Sequence, residues 1–556
     1  MKKYIYLLFL IVLAYGLNSC ADFLDKVPDS RTTIDSKKKI RLLLVSAYSD
    51  SNYSMLGEIS SDNMIDNNSP DATGFAYQKA TLSKQYDEAF AWNDVVSSIE
   101  EDSPYSIWDG CYKAIAVDNA ALDAIAKLEA EGVDMNAEKG EALISRAYHH
   151  FVLVNVFGQA YKDNELSKTD LGVPYATKPE TVVSGNYKRL SVAEVYQNIK
   201  NDIDAGIDLV SDEYYTVPKY HFNQKAAHAF AARFYLYMRD YDKVIYHANK
   251  VLGSNASTVL FKTYDTNVKT AYPTSEIYEW IDATDQGNLL LMSTLSTFFF
   301  SFFKDYCRYA FNRDARTYTF KSSGPNWSDG FPGVSVWSWD SNLGGFVAKL
   351  YYFFEFTDKN AGIGYVHGIK REFTTNETLL CRAEAYLYKG NKAAAVADLN
   401  AWTQAYYAGA PTKTPVELTA AKIESFYNAS ATNYVKPLNT SQMSPSFIVS
   451  PDIEPYIQCV LHFRRIETIH DGLRWFDLKR YGIEITHKIG ADATTSILKW
   501  NDERRAIQLP QEVIIAGMTA NPRTSGQTAI QQSPGYCTET KAVLAKKGSS
   551  ETMTKN

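Results

Sequence analysis

The sequence predicts a mainly α-helical protein in which tetratricopeptide-like helical hairpins support a loop-rich, aromatic lobe. Thr374–Tyr407 carries two helical stripes separated by Gly390 and Asn391, which is the pattern of two helices folded back on each other. The same sequence pattern occurs earlier in the chain, because Tyr235–Asp240 aligns with Tyr386–Asn391. An alanine lies three residues before the first tyrosine of each segment. A hairpin that recurs is typical of tetratricopeptide-like stacking, with two unrelated hairpins as the alternative.

The stretch between these two hairpins is the third observation behind this prediction. Residues 254–376 are rich in aromatic residues and poor in helical stripes, and so long a stretch is usually functional rather than connective. It contains Trp327, Trp337 and Trp339, of which the last two would share one face of an extended segment. We therefore expect this lobe to be functional.

The chain opens with a predicted secretion signal. Lys2 and Lys3 precede the apolar run Tyr4–Leu17, which is too short for a membrane-spanning helix of about 20 residues. Residues 17–20 read Leu-Asn-Ser-Cys, which is similar to a bacterial lipobox. That resemblance implies cleavage before Cys20 and lipidation of this residue, and the alternative is an ordinary signal with a chance cysteine.

The remaining elements follow from apolar periodicity and capping residues. Ser191 and Glu194 have the spacing of a capping box, and so do Thr374 and Glu377. Asn119 lies within an apolar stripe, so it requires a hydrogen-bond partner if it is buried. The predicted helices ahead of the lobe are Ile40–Tyr48, Pro104–Leu128, Ala137–Phe157, Ser191–Val210, Lys225–Met238 and Tyr241–Leu252.

Composition and motifs exclude several classes of function. The net charge of −7 argues against a nucleic-acid partner, because a nucleic-acid footprint is basic. The five cysteines after Cys20 are far apart, which argues against a zinc site or a disulfide framework and favours buried free thiols. His149 and His150 are adjacent, so they do not share a helix face. Without a nucleotide, hydrolase or zinc-protease motif, we predict no cofactor and no metal.

Motifs at the two ends of the chain carry a family resemblance. Residues 20–28 read Cys-Ala-Asp-Phe-Leu-Asp-Lys-Val-Pro, residues 464–467 read Arg-Arg-Ile-Glu, and residues 471–480 read Asp-Gly-Leu-Arg-Trp-Phe-Asp-Leu-Lys-Arg. These motifs resemble the SusD/RagB family of outer-membrane lipoproteins, and the resemblance runs from Cys20 to about Cys537. Phe463 and Asp471 stand where glutamates are common, which affects one expected ion pair. We interpret Arg474 and its neighbours as scaffold.

The resemblance implies a SusD-like α-α superhelix and a division of the chain. Residues 1–19 would be the signal peptide, 20–252 an N-terminal region with helical hairpins, and 253–376 the loop-rich aromatic segment. Residues 377–537 would be the SusD/RagB C-terminal region and 538–556 a polar tail.

A saccharide site is expected to expose flat aromatic rings with short polar side chains beside them, since a sugar ring has an apolar face and a fringe of hydroxyls. Two stretches fit, Phe75–Asn93 and Asn326–Asp340, and the family is known for glycan-binding aromatics in such loops. For each tryptophan, packing is the alternative to ligand contact. The predicted glycan-binding residues are Tyr77, Tyr86, Trp92, Asn93, Trp327, Trp337, Trp339 and Asp340.

The function that the resemblance implies is capture of oligosaccharides at the outer surface of a Gram-negative cell. The protein would be lipid-anchored in the outer membrane and would serve as a lid and co-receptor for a SusC-like TonB-dependent transporter. The helical side would meet the transporter and the loops would meet the ligand. Peptide cargo, as in RagB-like members, is one alternative. A surface glycoside hydrolase is another, although acidic pairs such as Glu100-Glu101 lie in polar runs typical of solvated surface.

Overall fold

The computed structural model describes residues 34–524 apart from positions 72, 97, 180–186, 263–273, 303–306, 335, 337–341, 348, 409, 411–412 and 430–433. This part of the chain is mainly helical, as predicted. Its helices are α1 (Lys37–Leu44), α2 (Ser54–Ser60), α3 (Lys84–Phe90), α4 (Pro104–Ala130), α5 (Asn136–Phe157), α6 (Val192–Gly206), α7 (Gln224–Met238), α8 (Tyr241–Leu252), α9 (Thr274–Trp280), α10 (Phe298–Phe302), α11 (Arg313–Arg316), α12 (Thr375–Tyr388), α13 (Lys392–Ala408), α14 (Ala420–Asn428), α15 (Thr440–Met443), α16 (Glu454–Glu467), α17 (Leu473–Arg480) and α18 (Gln511–Ile515). Its strands are β1 (Ile65–Asp66), β2 (Asn288–Thr294), β3 (Tyr309–Ala310), β4 (Tyr352–Asp358), β5 (Ile363–Thr374), β6 (Ile485–Ile489) and β7 (Thr494–Leu498).

The two predicted hairpins form and stack on each other. Helix α7 packs against α8, α12 packs against α13, and α8 and α7 both contact α12. Gly390 takes a φ of 74° at the end of α12, which is the left-handed conformation that closes a helix. The Asn391 side chain then accepts a hydrogen bond from the Ala394 N–H at 3.1 Å, which caps α13. The tetratricopeptide-like arrangement of these hairpins is confirmed.

One predicted capping box forms and the other forms only in part. Ser191 and Glu194 each accept the other's backbone N–H at the start of α6. At α12 the Thr374 side chain accepts the Glu377 N–H at 3.1 Å, but the Glu377 carboxylate lies 3.3 Å from Arg233 and 3.4 Å from Arg464. The reciprocal half of this box is therefore wrong, because two buried guanidinium groups are stronger partners for a carboxylate than one backbone N–H.

Helices α4, α5 and α6 form a second set of packed helices held by a buried polar group. Asn119 is 2% exposed, and its side chain donates to the Ala176 carbonyl at 3.1 Å. It also accepts from Arg146, which makes two further hydrogen bonds to Asp202 at 2.7 and 2.8 Å. The expectation that a buried Asn119 has partners is confirmed.

The two adjacent histidines of α5 are structural. The Nδ1 of His149 lies 2.8 Å from the Ser145 carbonyl, and its Nε2 accepts the Ser49 N–H at 3.2 Å. The Nδ1 of His150 lies 2.9 Å from the Arg146 carbonyl, and its Nε2 accepts the Ala176 N–H at 3.1 Å. Burial lowers the pKa of His149 to about 4 and that of His150 to about 3, so both rings are neutral at pH 7.

The segment between the hairpins contains a sheet that the sequence analysis did not predict. Strands β2, β5 and β4 form an antiparallel sheet in that order, and β5 runs directly into α12. Residues 289–292 form a buried apolar run within β2, and a run of that length fits strand and helix equally well. The lobe therefore combines loops with a sheet that is continuous with the helical core.

One hydrophobic core joins the hairpins, the lobe and the C-terminal helices. It includes Phe230 of α7, Phe373 of β5, Leu380 of α12, Phe463 of α16 and Trp475 of α17. The family motif in residues 464–480 lies inside this core, which confirms its interpretation as scaffold. The four cysteines in the described part of the chain, Cys111, Cys307, Cys381 and Cys459, are buried and form no disulfide there. No helix among the described residues is both long and apolar enough to cross a membrane.

Candidate functional site

Trp92 belongs to the core rather than to an exposed site. Its side chain is 5% exposed, and its indole N–H donates to the Ser60 carbonyl at 2.9 Å. Its ring stacks on His487 with centroids 4.2 Å apart. A sugar needs an open ring face, and the structure covers this ring with protein. Packing, the alternative to ligand contact, is therefore the role that the structure assigns to Trp92.

Trp327 is placed in the same way. It is 6% exposed, and its indole N–H donates to the Ser322 carbonyl at 2.9 Å. The ring packs edge-on against Phe331, with centroids 4.8 Å apart. It also covers Gly324 so closely that a Cβ there would meet the indole at 2.0 Å. Trp327 thus fixes a turn of the lobe, and its burial favours packing, the alternative to ligand contact.

The other predicted residues fall into three groups. Tyr86 is 4% exposed and its hydroxyl lies 2.5 Å from the Thr297 hydroxyl, so it too packs in the core. Asn93 and Tyr77 are half-buried at the surface. The predicted residues Trp337, Trp339 and Asp340 lie outside the residues that the structure describes.

The loop before Tyr77 presents an exposed ring on a tight turn. The Asp71 carboxylate accepts the Thr73 N–H at 2.8 Å and the Phe75 N–H at 3.1 Å, and the Asp71 N–H donates to the Phe75 carbonyl. Gly74 has a φ of 85°, which allows the sharp reversal. Hydrogen bonds from Thr73 hold the pKa of the Asp71 carboxyl below its usual range, so it is charged at neutral pH. This turn holds Phe75 outward, with 56% of its surface exposed.

Phe75 and Tyr77 form an aromatic pair at the edge of the lobe. Their ring centroids are 4.7 Å apart at an interplanar angle of 85°. The Lys79 ammonium lies 5.7 Å from the centroid of the Tyr77 ring. Because the rings meet edge to face, the pair has a defined geometry with an open side toward solvent.

This pair is linked through Asn67 to the segment at Asn342 and Leu343. The Tyr77 N–H donates to the Asn67 carbonyl at 3.0 Å, and the Asn67 side chain donates to the Leu343 carbonyl at 2.8 Å. Next to Leu343, the exposed Asn342 side chain accepts from the exposed Arg313 guanidinium at 3.2 Å. We call Asp71, Phe75, Tyr77, Arg313 and Asn342 the loop surface.

The chemistry of the loop surface suits a polyhydroxylated ligand. Phe75 and Tyr77 offer an apolar face, while Asp71, Arg313 and Asn342 provide a carboxylate, a guanidinium and an amide around it. This combination can bind the C–H face and the hydroxyl fringe of a sugar at the same time. Among the described residues, no group of three metal-binding side chains was found.

Sequence reasoning missed the exposed ring of the loop surface and a cleft in another part of the structure. The sequence analysis predicted tryptophans as ligand contacts, but the structure leaves the Phe75 ring exposed instead. The turn at Asp71 and Gly74 is the local signal that could have indicated this exposure. A cleft of about 240 Å³ lies elsewhere, lined by Trp500, Asn501 and Gln159. Trp500 is half-buried within a charged stretch, where the sequence analysis identified no site.

Comparisons with known proteins agree with this architecture. A SusD-like family model described as "Starch-binding associating with outer membrane" matches residues 22–236. The structure is similar to a SusD superfamily protein from Bacteroides vulgatus at 19% identity and a TM-score of 0.55, covering 88% of this chain and 98% of that chain. It is similar to a putative sugar binding protein from Bacteroides vulgatus at 20% identity and a TM-score of 0.55, covering 89% and 100%.

A further solved structure and the curated proteins complete the comparison. Surface glycan-binding protein A from Bacteroides uniformis matches at 14% identity and a TM-score of 0.53, covering 87% of this chain and 99% of that chain. The comparison with curated proteins found no match. At these identities the solved structures establish the fold, and the family match covers the N-terminal helical region. Residues 22–236 of this chain therefore match the SusD-like family model, and the described structure shares the fold of SusD superfamily proteins.

Proposed function

We propose that the protein is a cell-surface glycan-binding lipoprotein that captures oligosaccharides and delivers them to a SusC-like TonB-dependent transporter. The observation that carries this proposal is the fold, which this chain shares over 89% of its length with a protein described as sugar binding. The neighbour described as a surface glycan-binding protein supports the same class of ligand.

The loop surface supports a glycan as the ligand. Its exposed Phe75 ring and its charged and amide neighbours are what a neutral saccharide requires, and none of them needs to react with the ligand. Capture without cleavage therefore accounts for the chemistry of this surface. The aromatic pair is held by a short hydrogen-bonded turn, so little conformational entropy is lost when a ligand binds.

The proposed location is supported by the family description and by the sequence around Cys20, and the transporter partner is part of the proposal. The family description associates its members with the outer membrane, and Cys20 stands in a lipobox-like sequence. We propose that an acyl anchor at Cys20 holds the protein at the membrane, with its helical side toward the transporter and its loop surface toward the ligand.

Isothermal titration of the purified full chain tests the ligand class. The probes are neutral oligosaccharides from a panel of polysaccharides and a matched panel of oligopeptides. We expect binding to at least one oligosaccharide series and no measurable binding to the peptides. Binding to peptides alone would replace the glycan with peptide cargo, and release of shorter sugars from a bound polysaccharide would identify a hydrolase instead.

A further inference from the structure

A second cleft lies at the turns of the helical hairpins, away from the residues of the loop surface. Its volume is about 310 Å³, which is at the small end of the range of roughly 300–1,000 Å³ for ligand sites. It is formed by the turn between α7 and α8, the end of α12 and the segments around residues 161 and 447. The side chains that the argument uses are Tyr161, Asp163, Arg239, Tyr241, Tyr388 and Phe447.

Arg239 lies in this cleft without a hydrogen-bonded partner. Its guanidinium carbon lies 4.4 Å from the centroid of the Phe447 ring and 6.0 Å from that of Tyr161. Among the described residues, its side chain makes no hydrogen bond and no ion pair, so its planar fork of N–H donors is available to a ligand. Burial lowers the pKa of this half-buried group, and the charge of Asp163 offsets that effect only in part.

The nearby acid does not neutralise Arg239. The Asp163 carboxylate accepts from the Ser444 hydroxyl at 2.7 Å and from the Leu166 N–H at 2.8 Å, and it is beyond ion-pair distance of the guanidinium. Its position is therefore set by these two hydrogen bonds. Asp163 remains able to accept a hydrogen bond from a hydroxyl group of a ligand in the cleft.

The backbone at Arg239 is the second, independent observation. Arg239 has a φ of 66°, which costs a residue with a Cβ about 1 kcal/mol or more, whereas Gly390 takes the equivalent position in the other hairpin with a φ of 74°. The hydrogen bonds match as well, because Arg239 donates to Leu236 and Gly390 donates to Leu387. A glycine would serve this turn better, so the turn itself does not explain the arginine.

The side chains that line the cleft indicate which chemical groups a ligand of Arg239 would carry beside its anionic group. Tyr241 and Tyr388 stack with centroids 4.4 Å apart at 6°, and Phe447 and Tyr161 flank the arginine. The hydroxyls of Tyr161 and Tyr241 form no hydrogen bond with any residue in the described part of the chain. The half-buried Tyr241 and Tyr388 rings, the two free hydroxyls and the guanidinium fork match a pyranose ring that carries a carboxylate.

We propose that the Arg239 cleft is a binding site for acidic saccharides, with Arg239 holding the carboxylate of a uronic acid residue through paired hydrogen bonds. A cleft of this size is larger than a single acidic side chain of a protein needs, which favours a sugar ring over a peptide. The site is built from residues that do not belong to the loop surface, so it stands independently of neutral glycan binding there.

Titration of the purified full chain with trigalacturonic acid tests this proposal. The fully methyl-esterified trisaccharide is the matched ligand control, because it keeps the rings and loses the charge. Arg239→Gly is the decisive variant, since glycine suits the backbone and the chain is expected to unfold at the same or a higher temperature. Lys250→Ala removes one positive charge at the far end of α8 and is the matched protein control.

We expect the wild-type chain and Lys250→Ala to bind trigalacturonic acid with equal affinity. Arg239→Gly should bind it at least about tenfold more weakly, because a charge-assisted hydrogen-bond pair is lost. Arg239→Lys should bind at an intermediate strength, because an ammonium cannot form the paired contact. Equal affinity for the methyl ester, or unchanged affinity in Arg239→Gly, would overturn the proposal. Tighter binding of the peptide Gly-Gly-Asp than of trigalacturonic acid would overturn the assignment to saccharides.

Discussion

At the scale of single residues, burial separates rings that look alike in the sequence. Trp92 and Trp327 each donate an indole N–H to a backbone carbonyl and have their faces covered, whereas Phe75 is 56% exposed on a turn held by Asp71. The type of ring therefore does not decide its role. The hydrogen-bonding capacity of an indole favours burial where a carbonyl is available, and the turn at Gly74 leaves a simple phenyl ring in solvent.

Replacement of Phe75 by alanine is expected to weaken oligosaccharide binding by about 1–3 kcal/mol, by analogy with base–aromatic stacking. The unfolding free energy should change little, because the ring is mostly outside the core. Titration of the best ligand from the oligosaccharide panel measures the effect. Tyr246→Ala, which removes a ring that is 50% exposed on α8, is the control and should bind normally. Equal affinities for Phe75→Ala and wild type would remove Phe75 from the site.

At the scale of elements, buried polar side chains hold the loops of the lobe onto the helices. Asp102, just before α4, accepts hydrogen bonds from the Ser296 hydroxyl at 2.7 Å and from the Thr297 N–H at 2.8 Å, which lie between β2 and α10. Its side chain is buried, and Tyr86 of α3 bonds to the same threonine. Asp102 and Tyr86 therefore fix the same segment around Thr297 from two other parts of the chain.

The stability of this junction should depend on pH. Burial raises the pKa of Asp102 from 3.8 to about 6, so the folded chain retains a proton that the unfolded chain releases. Its contribution to stability is therefore present below about pH 4 and is lost as the pH rises to about 6, by about 3 kcal/mol.

Asp102→Asn, which is neutral at every pH, is the reference for this effect. Urea unfolding of both chains at pH 4 and pH 7 should show that the wild type loses about 3 kcal/mol relative to the variant over this interval. A constant difference between the two chains would show that Asp102 does not retain its proton in the folded state.

At the scale of the whole molecule, a buried ionic network ties the C-terminal motif to the hairpins. Asp477 of α17 accepts from Arg464 of α16 at 2.9 Å and from Arg480 at 2.7 Å, and Arg480 also donates to Glu384 of α12 at 2.8 Å. Burial alone would raise the pKa of Asp477, but the two guanidinium charges outweigh it and hold the pKa below its usual value. The network therefore depends on every member being present.

Asp477→Ala should lower the unfolding free energy of the whole chain by about 3–5 kcal/mol, because it leaves two arginines buried without their shared partner. Urea denaturation followed by tryptophan fluorescence and by circular dichroism measures this change. The two signals should shift together if the core is one cooperative unit. Lys250→Ala, an exposed charge change, is the control and should shift the midpoint little. An unfolding free energy equal to that of wild type would contradict the role of this network.

The sequence by itself determined the helical class, the stacked hairpins, the capping of α6 and α13 and the scaffold role of the C-terminal motif. These features depend on local periodicity, on capping residues and on a motif whose charged residues form ion pairs with one another. Only the tertiary structure decided the β2-β5-β4 sheet, the burial of Trp92 and Trp327, the exposure of Phe75 and the unpaired state of Arg239. Each of these depends on which distant segments cover a side chain, and that information is not contained in the spacing of neighbouring residues.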